Sequence, residues 1–286
     1  MYFLIGIDDT DNLISGGTGN LARQLLKQII ERKFAQAISI SRHQLLVSPE
    51  IPYTSHNSSA CMMLETSPEV ITSLTDSCRE FLLQYSEEGS DVGLCIGEWN
   101  QVNFIVENFG KQAKEKVLTQ GEALSVAQKS GLFLEGLTGT KDGIIGALAA
   151  VGLRKTGNDG RFIWLPGLYD LAGVYTASQL YQAVKIDRIQ DLEGKEIHEN
   201  TKIKIGGGNK VLQIFLWKWM IESGASSLMK CAFSKVEYSD INRWPRPVLL
   251  DDQAVMLVAK TSDSSQNLGE ENYEYEMASK HIIRQY

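Results

Sequence analysis

Residues 2–8 read YFLIGID, the chain continues DTDNLISGGTGN, and apolar residues then recur at Leu21, Leu25 and Ile29. A nearly continuous apolar run this short suits a strand covered on both faces, whereas a four-residue repeat suits one stripe of a helix. The segment is strand, loop, helix. It crowds Asp8, Asp9 and Asp11 at the end of the strand, just before a glycine-rich turn. Two carboxylates about 4 Å apart repel by roughly 4 kcal/mol at an effective dielectric of ~20. A bound cation offsets that cost, and the exposed N–H groups of the following helix favour anions. Oxygen ligands suit magnesium, which commonly bridges carboxylates and phosphates. The residues therefore read as a magnesium and phosphate site. Asp8, Asp9 and Asp11 are its metal ligands, Asp9 and Thr18 its catalytic groups, and Gly16, Gly17, Thr18 and Gly19 its phosphate cradle. No GK[ST] follows the glycines, so this is not a Walker A loop. An Asx-rich turn that caps the helix is the competing reading of the same residues.

Further along, Pro68 after Ser67 starts a helix that places Val70, Ile71, Leu74, Cys78, Phe81 and Tyr85 on one face. SACMMLE reads as a strand, GEALSVAQKSG as a helix closed by Gly131, and DGIIGALAAVGL as a small-residue helix that another backbone or a ligand can approach closely. RFIWL, KIKI, AFSKVEY and AVMLVA read as strands, with helices from near Thr176 and over VLQIFLWKWMIE, while KTGNDGRFIWL reads as a hairpin. Interleaved strands and helices give a mixed α/β and α+β class, with a ferredoxin-like layer expected in the second half. At 286 residues two domains are expected, 1–135 and 136–286.

The formal net charge of −7 gives no long-range attraction for polyanions, so nucleic acid is a disfavoured partner and a small-molecule substrate the expected one. A homo-oligomer is left open. The four cysteines form no CxxC pair and read as buried thiols. YFLIGI is too short to span a membrane and no basic segment precedes it, so a cytoplasmic location without a membrane partner is expected. Further ligand-binding candidates are Arg42 and His43 before an apolar run, His56 and Asn57 in a polar loop, Lys141 at a helix start, and Arg161 at a strand start. Ordinary surface hydrogen bonding is the alternative for each.

GIDDTD with the Gly16–Gly19 turn, then IPYTSHNSSACM, then DGIIGALAAVG, resembles the tRNA agmatinylcytidine synthetase family in order and spacing. The resemblance covers much of residues 1 to about 165. It implies a kinase-like domain joined to a ferredoxin-like domain and the use of ATP to phosphorylate a tRNA cytidine, whose phosphate agmatine then displaces. It also implies that Asp8, Asp9 and Asp11 serve magnesium and phosphate transfer and that Thr18 matches a threonine of the family's helix-start loop. The family continues into an OB-fold and a zinc ribbon, whereas no cysteine set here suits zinc. The expectation is thus a magnesium- and ATP-dependent enzyme that phosphorylates or amidates a small molecule. A tRNA-modifying enzyme with RNA binding from a partner, or a non-catalytic nucleotide sensor, are the alternatives.

Overall fold

The computed structural model describes residues 1–12, 17–51, 57–157, 159–167, 171, 173–184, 186, 188–191, 195–205, 214–216, 248–249 and 255–259. It opens with β1 (Tyr2–Asp8), α1 (Thr18–Glu31), β2 (Gln36–Gln44) and β3 (Ser58–Glu65). A 3-10 turn (Pro68–Val70), α2 (Ile71–Tyr85) and β4 (Gly93–Glu98) follow. These strands lie in the antiparallel order β4-β1-β3-β2. A β-α-β-β-α-β chain with its strands in this order is the ferredoxin-like arrangement. It is traced by the first hundred residues, where the sequence pointed to a kinase-like unit. The reason is that α1 and α2 each return the chain across one face to a strand that pairs antiparallel.

Ile5 and Ile7 of β1 pack with Leu21, Leu25 and Ile29 of α1 and with Leu74 and Cys78 of α2. Leu4 faces the opposite way, into a core closed by α3 (Phe104–Gln112), α4 (Gln120–Ser130) and α5 (Gly143–Thr156). The strand reads apolar throughout because helices cover both faces. The approach of α5 is close. A Cβ on Gly6 would lie 2.0 Å from the Ala147 carbonyl oxygen, so only glycine lets the helix backbone sit this near the strand.

β5 (Phe133–Gly136) extends the sheet beside β4, and β6 (Arg161–Trp164) extends it beside β2. α5 lies beyond the boundary expected near residue 135, yet it packs on β1 and β4. Gly157, Asp159 and Gly160 lie between α5 and β6, where the sequence suggested a hairpin. The helix closes on Gly157 in the left-handed region.

The second half contributes β7 (Gly173–Thr176), α6 (Ala177–Ala183), β8 (Arg188–Asp191), β9 (Lys202–Ile205), β10 (Ile214–Leu216), β11 (Val248–Leu249) and β12 (Val255–Ala259). Among the described residues one sheet runs β5-β4-β1-β3-β2-β6-β10-β12-β8 and a smaller one β11-β9-β7. Thr176 caps α6 through a reciprocal capping box with Gln179, where a helix start was expected. Residues 214–216 form a strand paired with β6 and β12, not the helix expected over VLQIFLWKWMIE. The AFSKVEY segment lies outside the described residues, as does the ferredoxin-like expectation for much of the second half. Among the described residues no helix is long and apolar enough to cross a membrane, and Cys61, Cys78 and Cys95 are buried free thiols.

Candidate functional site

A cavity of about 190 Å³ opens where the carboxyl end of β1 meets the starts of α1 and α5. Asp8, Asp9 and Asp11 line it together with Thr18, as the sequence suggested, and Asp91 and Asp142 join them. Leu45, Ile51, Val117, Leu118 and Ile145 add apolar surface to the lining, with Glu50 as a further acid and Lys116 as its basic group. A larger space of about 400 Å³ lies between α3 and α4, but its carboxylate, Glu122, is committed to the Thr119 helix cap. The smaller cavity is the one that gathers the aspartates.

Asp8 is held against α5 because Gly146 leaves room for it. A Cβ at that position would fall 1.7 Å from Asp8 Oδ2. Burial, then the charge of Asp9, pushes the Asp8 carboxyl up to about 8. Asp9 sits at φ 52°, in the left-handed region, and is raised to about 6 by burial and then by Asp91, with Asp11 and Asp142 adding to it. Asp11 Oδ1 accepts from Thr18 Oγ1 at 2.9 Å, and Thr10 Oγ1 donates to Thr18 Oγ1 at 3.2 Å, so a hydrogen-bonded chain fixes the loop to the first residue of α1. Gly17 is the N-cap of α1 at φ 79°, without a side-chain cap and without an acid in the first turn. The Asp11 carboxylate stands at this positive end of the helix.

Asp91 and Asp142 are locked by the segment before α5. Asp91 Oδ1 accepts from the Thr140 N–H, and the Asp91 carbonyl accepts from the Gly143 N–H at 2.8 Å. Asp142 Oδ1 accepts from Gln120 Nε2 at 2.7 Å and Oδ2 from Thr140 Oγ1 at 3.0 Å. Asp91 was not among the candidates read from the sequence, where it stands alone two residues before β4.

The other candidates divide. Asn57 lines the cavity, but its Nδ2 donates to the Leu46 carbonyl at 2.7 Å and holds the loop. Gly19 faces Ile163, whose Cδ1 would stand 3.0 Å from an added Cβ. Gly16 and His56 lie outside the described residues. Lys141 does not line the cavity. At φ 70° its stem runs over Gly136, so it is exposed on the other side of the turn. Arg42 and Arg161 are direct cross-strand partners on β2 and β6.

His43 is corrected from ligand to framework, because alternation along β2 turns it to the face away from Arg42 and buries it fully. Burial lowers its pKa, so the ring is neutral, while Asp159 is held down at about 2 against its own burial, Lys114 contributing most and His43 next. Nδ1 then donates to Asp159 Oδ1 at 3.0 Å and Nε2 accepts from Ser41 Oγ at 2.8 Å. Serine, histidine and aspartate stand in nucleophile-triad order, but Ser41 is 0% exposed. The group ties β2 to the turn before β6, and Lys114 joins it by bonding Asp159 and the Gln44 carbonyl.

A divalent cation and phosphates fit this site. The donors are all oxygen, and a cation would relieve the repulsion that raises Asp8 and Asp9. Among the described residues no three His, Cys, Asp or Glu side chains are grouped to hold an ion unaided. Phosphate or water would supply the rest, as is usual for magnesium.

No family model and no curated protein matches the chain. Solved structures do. Apo TiaS, a tRNA agmatidine synthetase, is 26% identical with a TM-score of 0.46, over 53% of this chain and 35% of that one. The chain resembles TiaS. The complex of TiaS with its tRNA and ATP is 27% identical with a TM-score of 0.47, over 53% of this chain and 36% of that one. A tRNA fluorescent labeling enzyme is 19% identical with a TM-score of 0.49, over 90% of this chain and 58% of that one. The chain thus spans about a third of the length of the TiaS structures named first. TiaS is seen with tRNA and ATP, and with tRNA, AMPCPP and agmatine. These complexes overturn the expectation of a small-molecule substrate with tRNA disfavoured. Net charge is a property of the whole molecule, whereas RNA is held by local groups.

Proposed function

We propose that this chain is the ATP-using part of an enzyme that modifies a cytidine in tRNA. The observation that supports it is the cavity in which Asp8, Asp9 and Asp11 meet Thr18 at the first turn of α1, with apolar side chains in the same lining. The residues carrying the family resemblance thus line one space large enough for the reacting part of a nucleotide. The reaction follows that resemblance, with ATP phosphorylating the base and an amine displacing the phosphate.

In this reading Asp8 and Asp9 hold magnesium, which neutralises phosphate charge when bound. Asp11 orients the Thr18 hydroxyl at the N-terminus of α1, where phosphate oxygens would be received. Leu45, Ile51, Val117 and Leu118 cover a base and keep water from it. Phosphoryl transfer needs chiefly positioning and charge stabilisation, which these groups provide without a cysteine or histidine nucleophile. The ATP-using unit extends past residue 135 into α5, because the helix and its N-cap bring Gly146 and Asp142 to the cavity.

The test is ATP turnover with magnesium, with and without tRNA and agmatine. Turnover is expected only when tRNA is present. Equal turnover without RNA would reject the reading.

A further inference from the structure

We propose that Arg42 and Arg161 form a phosphate subsite beside the carboxylate cavity, at the first turn of α1. The inference rests on the nucleotide- and RNA-using reading above and deepens it by assigning the phosphate-binding cations. Arg42 on β2 and Arg161 on β6 stand directly opposite each other in the strand register, so both side chains leave the same face of the sheet. That face is the one covered by α1. Ile163, two residues after Arg161, belongs to the α1–α2 core and touches Gly19 in the first helical turn. Residues 119 positions apart in sequence are therefore brought to one helix end.

Like charges directly opposite on neighbouring strands are destabilising. Both guanidiniums are also drawn out of water. Arg161 is lowered to about 9, by burial first and by Arg42 second, and Arg42 is lowered by burial while Asp11 acts the other way. Arg161 faces Arg42 across the strands, Arg42 lies within reach of the Asp11 charge, and Asp11 accepts from Thr18. Two cations thus stand beside the acids that line the cavity.

Arg42 is oriented as well as placed. Its Nε donates to Ser58 Oγ at 2.8 Å, and Ser58 lines the cavity. A guanidinium has five donors in a fixed fork that matches a phosphate in two-point contact. The acids of the cavity repel phosphate unless a metal screens them, so a polyphosphate chain needs a second set of cations. The arginine pair supplies it. The ligand class is a phosphate group, either from the nucleotide or from the RNA chain.

Binding of inorganic triphosphate with magnesium to the full chain tests this, and it does not require that the chain turn over ATP or modify RNA. Arg42→Gln and Arg161→Gln are each expected to weaken triphosphate binding at least tenfold, with Arg→Lys intermediate. Unchanged triphosphate affinity with a loss of single-stranded RNA affinity would assign the subsite to an RNA phosphate. Unchanged affinity for both overturns the proposal. A second measurement uses the unaltered chain. Phenylglyoxal labelling of Arg42 and Arg161, read by peptide mass spectrometry, is expected to fall when triphosphate or RNA is bound, and equal labelling in both cases overturns the proposal. Absent ATP turnover alongside arginine-dependent triphosphate binding would reject the enzyme reading and leave the subsite standing.

Discussion

Raising the pH from 6.5 to 8 is expected to destabilise the metal-free protein, and Asp8 is the cause. Its carboxyl is at about 8 in the fold against an ordinary 3.8, so across this window the folded state keeps a proton that the unfolded chain has released. Stability supplied by a raised carboxyl is present at low pH and is lost as pH rises toward the folded value. The slope is that of one proton, about 1.4 kcal/mol per pH unit. Asp9, raised to about 6, has largely finished titrating by pH 6.5. His43, lowered by burial, gives an opposite slope that fades within about one pH unit above its ordinary 6.5, as the unfolded imidazole finishes losing its proton. The buried thiols are raised to about 12 and above and titrate outside the window. The expected loss is about 2 kcal/mol across 1.5 units. Urea unfolding in chelator at pH 6.5, 7, 7.5 and 8 measures it, with Asp8→Asn expected to be nearly flat. Equal slopes in the two proteins, or rising stability in the unaltered one, would refute the assignment of the proton to Asp8.

Gly146→Ala places a methyl 1.7 Å from Asp8 Oδ2. A net loss of about 1–2 kcal/mol is expected, overpacking outweighing the helix-propensity gain, with a larger loss of magnesium-nucleotide binding seen by calorimetry. Asp159→Asn cuts the charge-assisted bonds to His43 and Lys114, and a loss of roughly 2–3 kcal/mol in thermal or urea unfolding is expected.

The strand, loop and helix at the amino terminus were legible because a doubly covered strand, an i, i+4 stripe and three crowded acids are all local patterns. α4 and its Gly131 cap were legible for the same reason. What escaped was non-local. Asp91 and Asp142 reach the cavity only because β4 pairs with β1 and α5 packs across both, and neither residue has a distinctive neighbour in sequence. Arg42 and Arg161 were each suspected singly, but their pairing depends on β6 joining β2. His43 looked like a loop ligand beside Arg42, while strand alternation sends the two to opposite faces. Lys141 was misread because its left-handed backbone turns the stem away, a property of one dihedral angle.

The central claim is that the carboxylate cavity performs ATP-dependent chemistry on a tRNA cytidine. Its most direct test is mass spectrometry of nucleosides from tRNA incubated with the chain, magnesium, ATP and agmatine. The account predicts a cytidine carrying the amine's added mass in the complete reaction, and none without ATP or with Asp9→Asn. Unaltered cytidine in a complete reaction, by a chain shown to bind both ATP and tRNA, would contradict it.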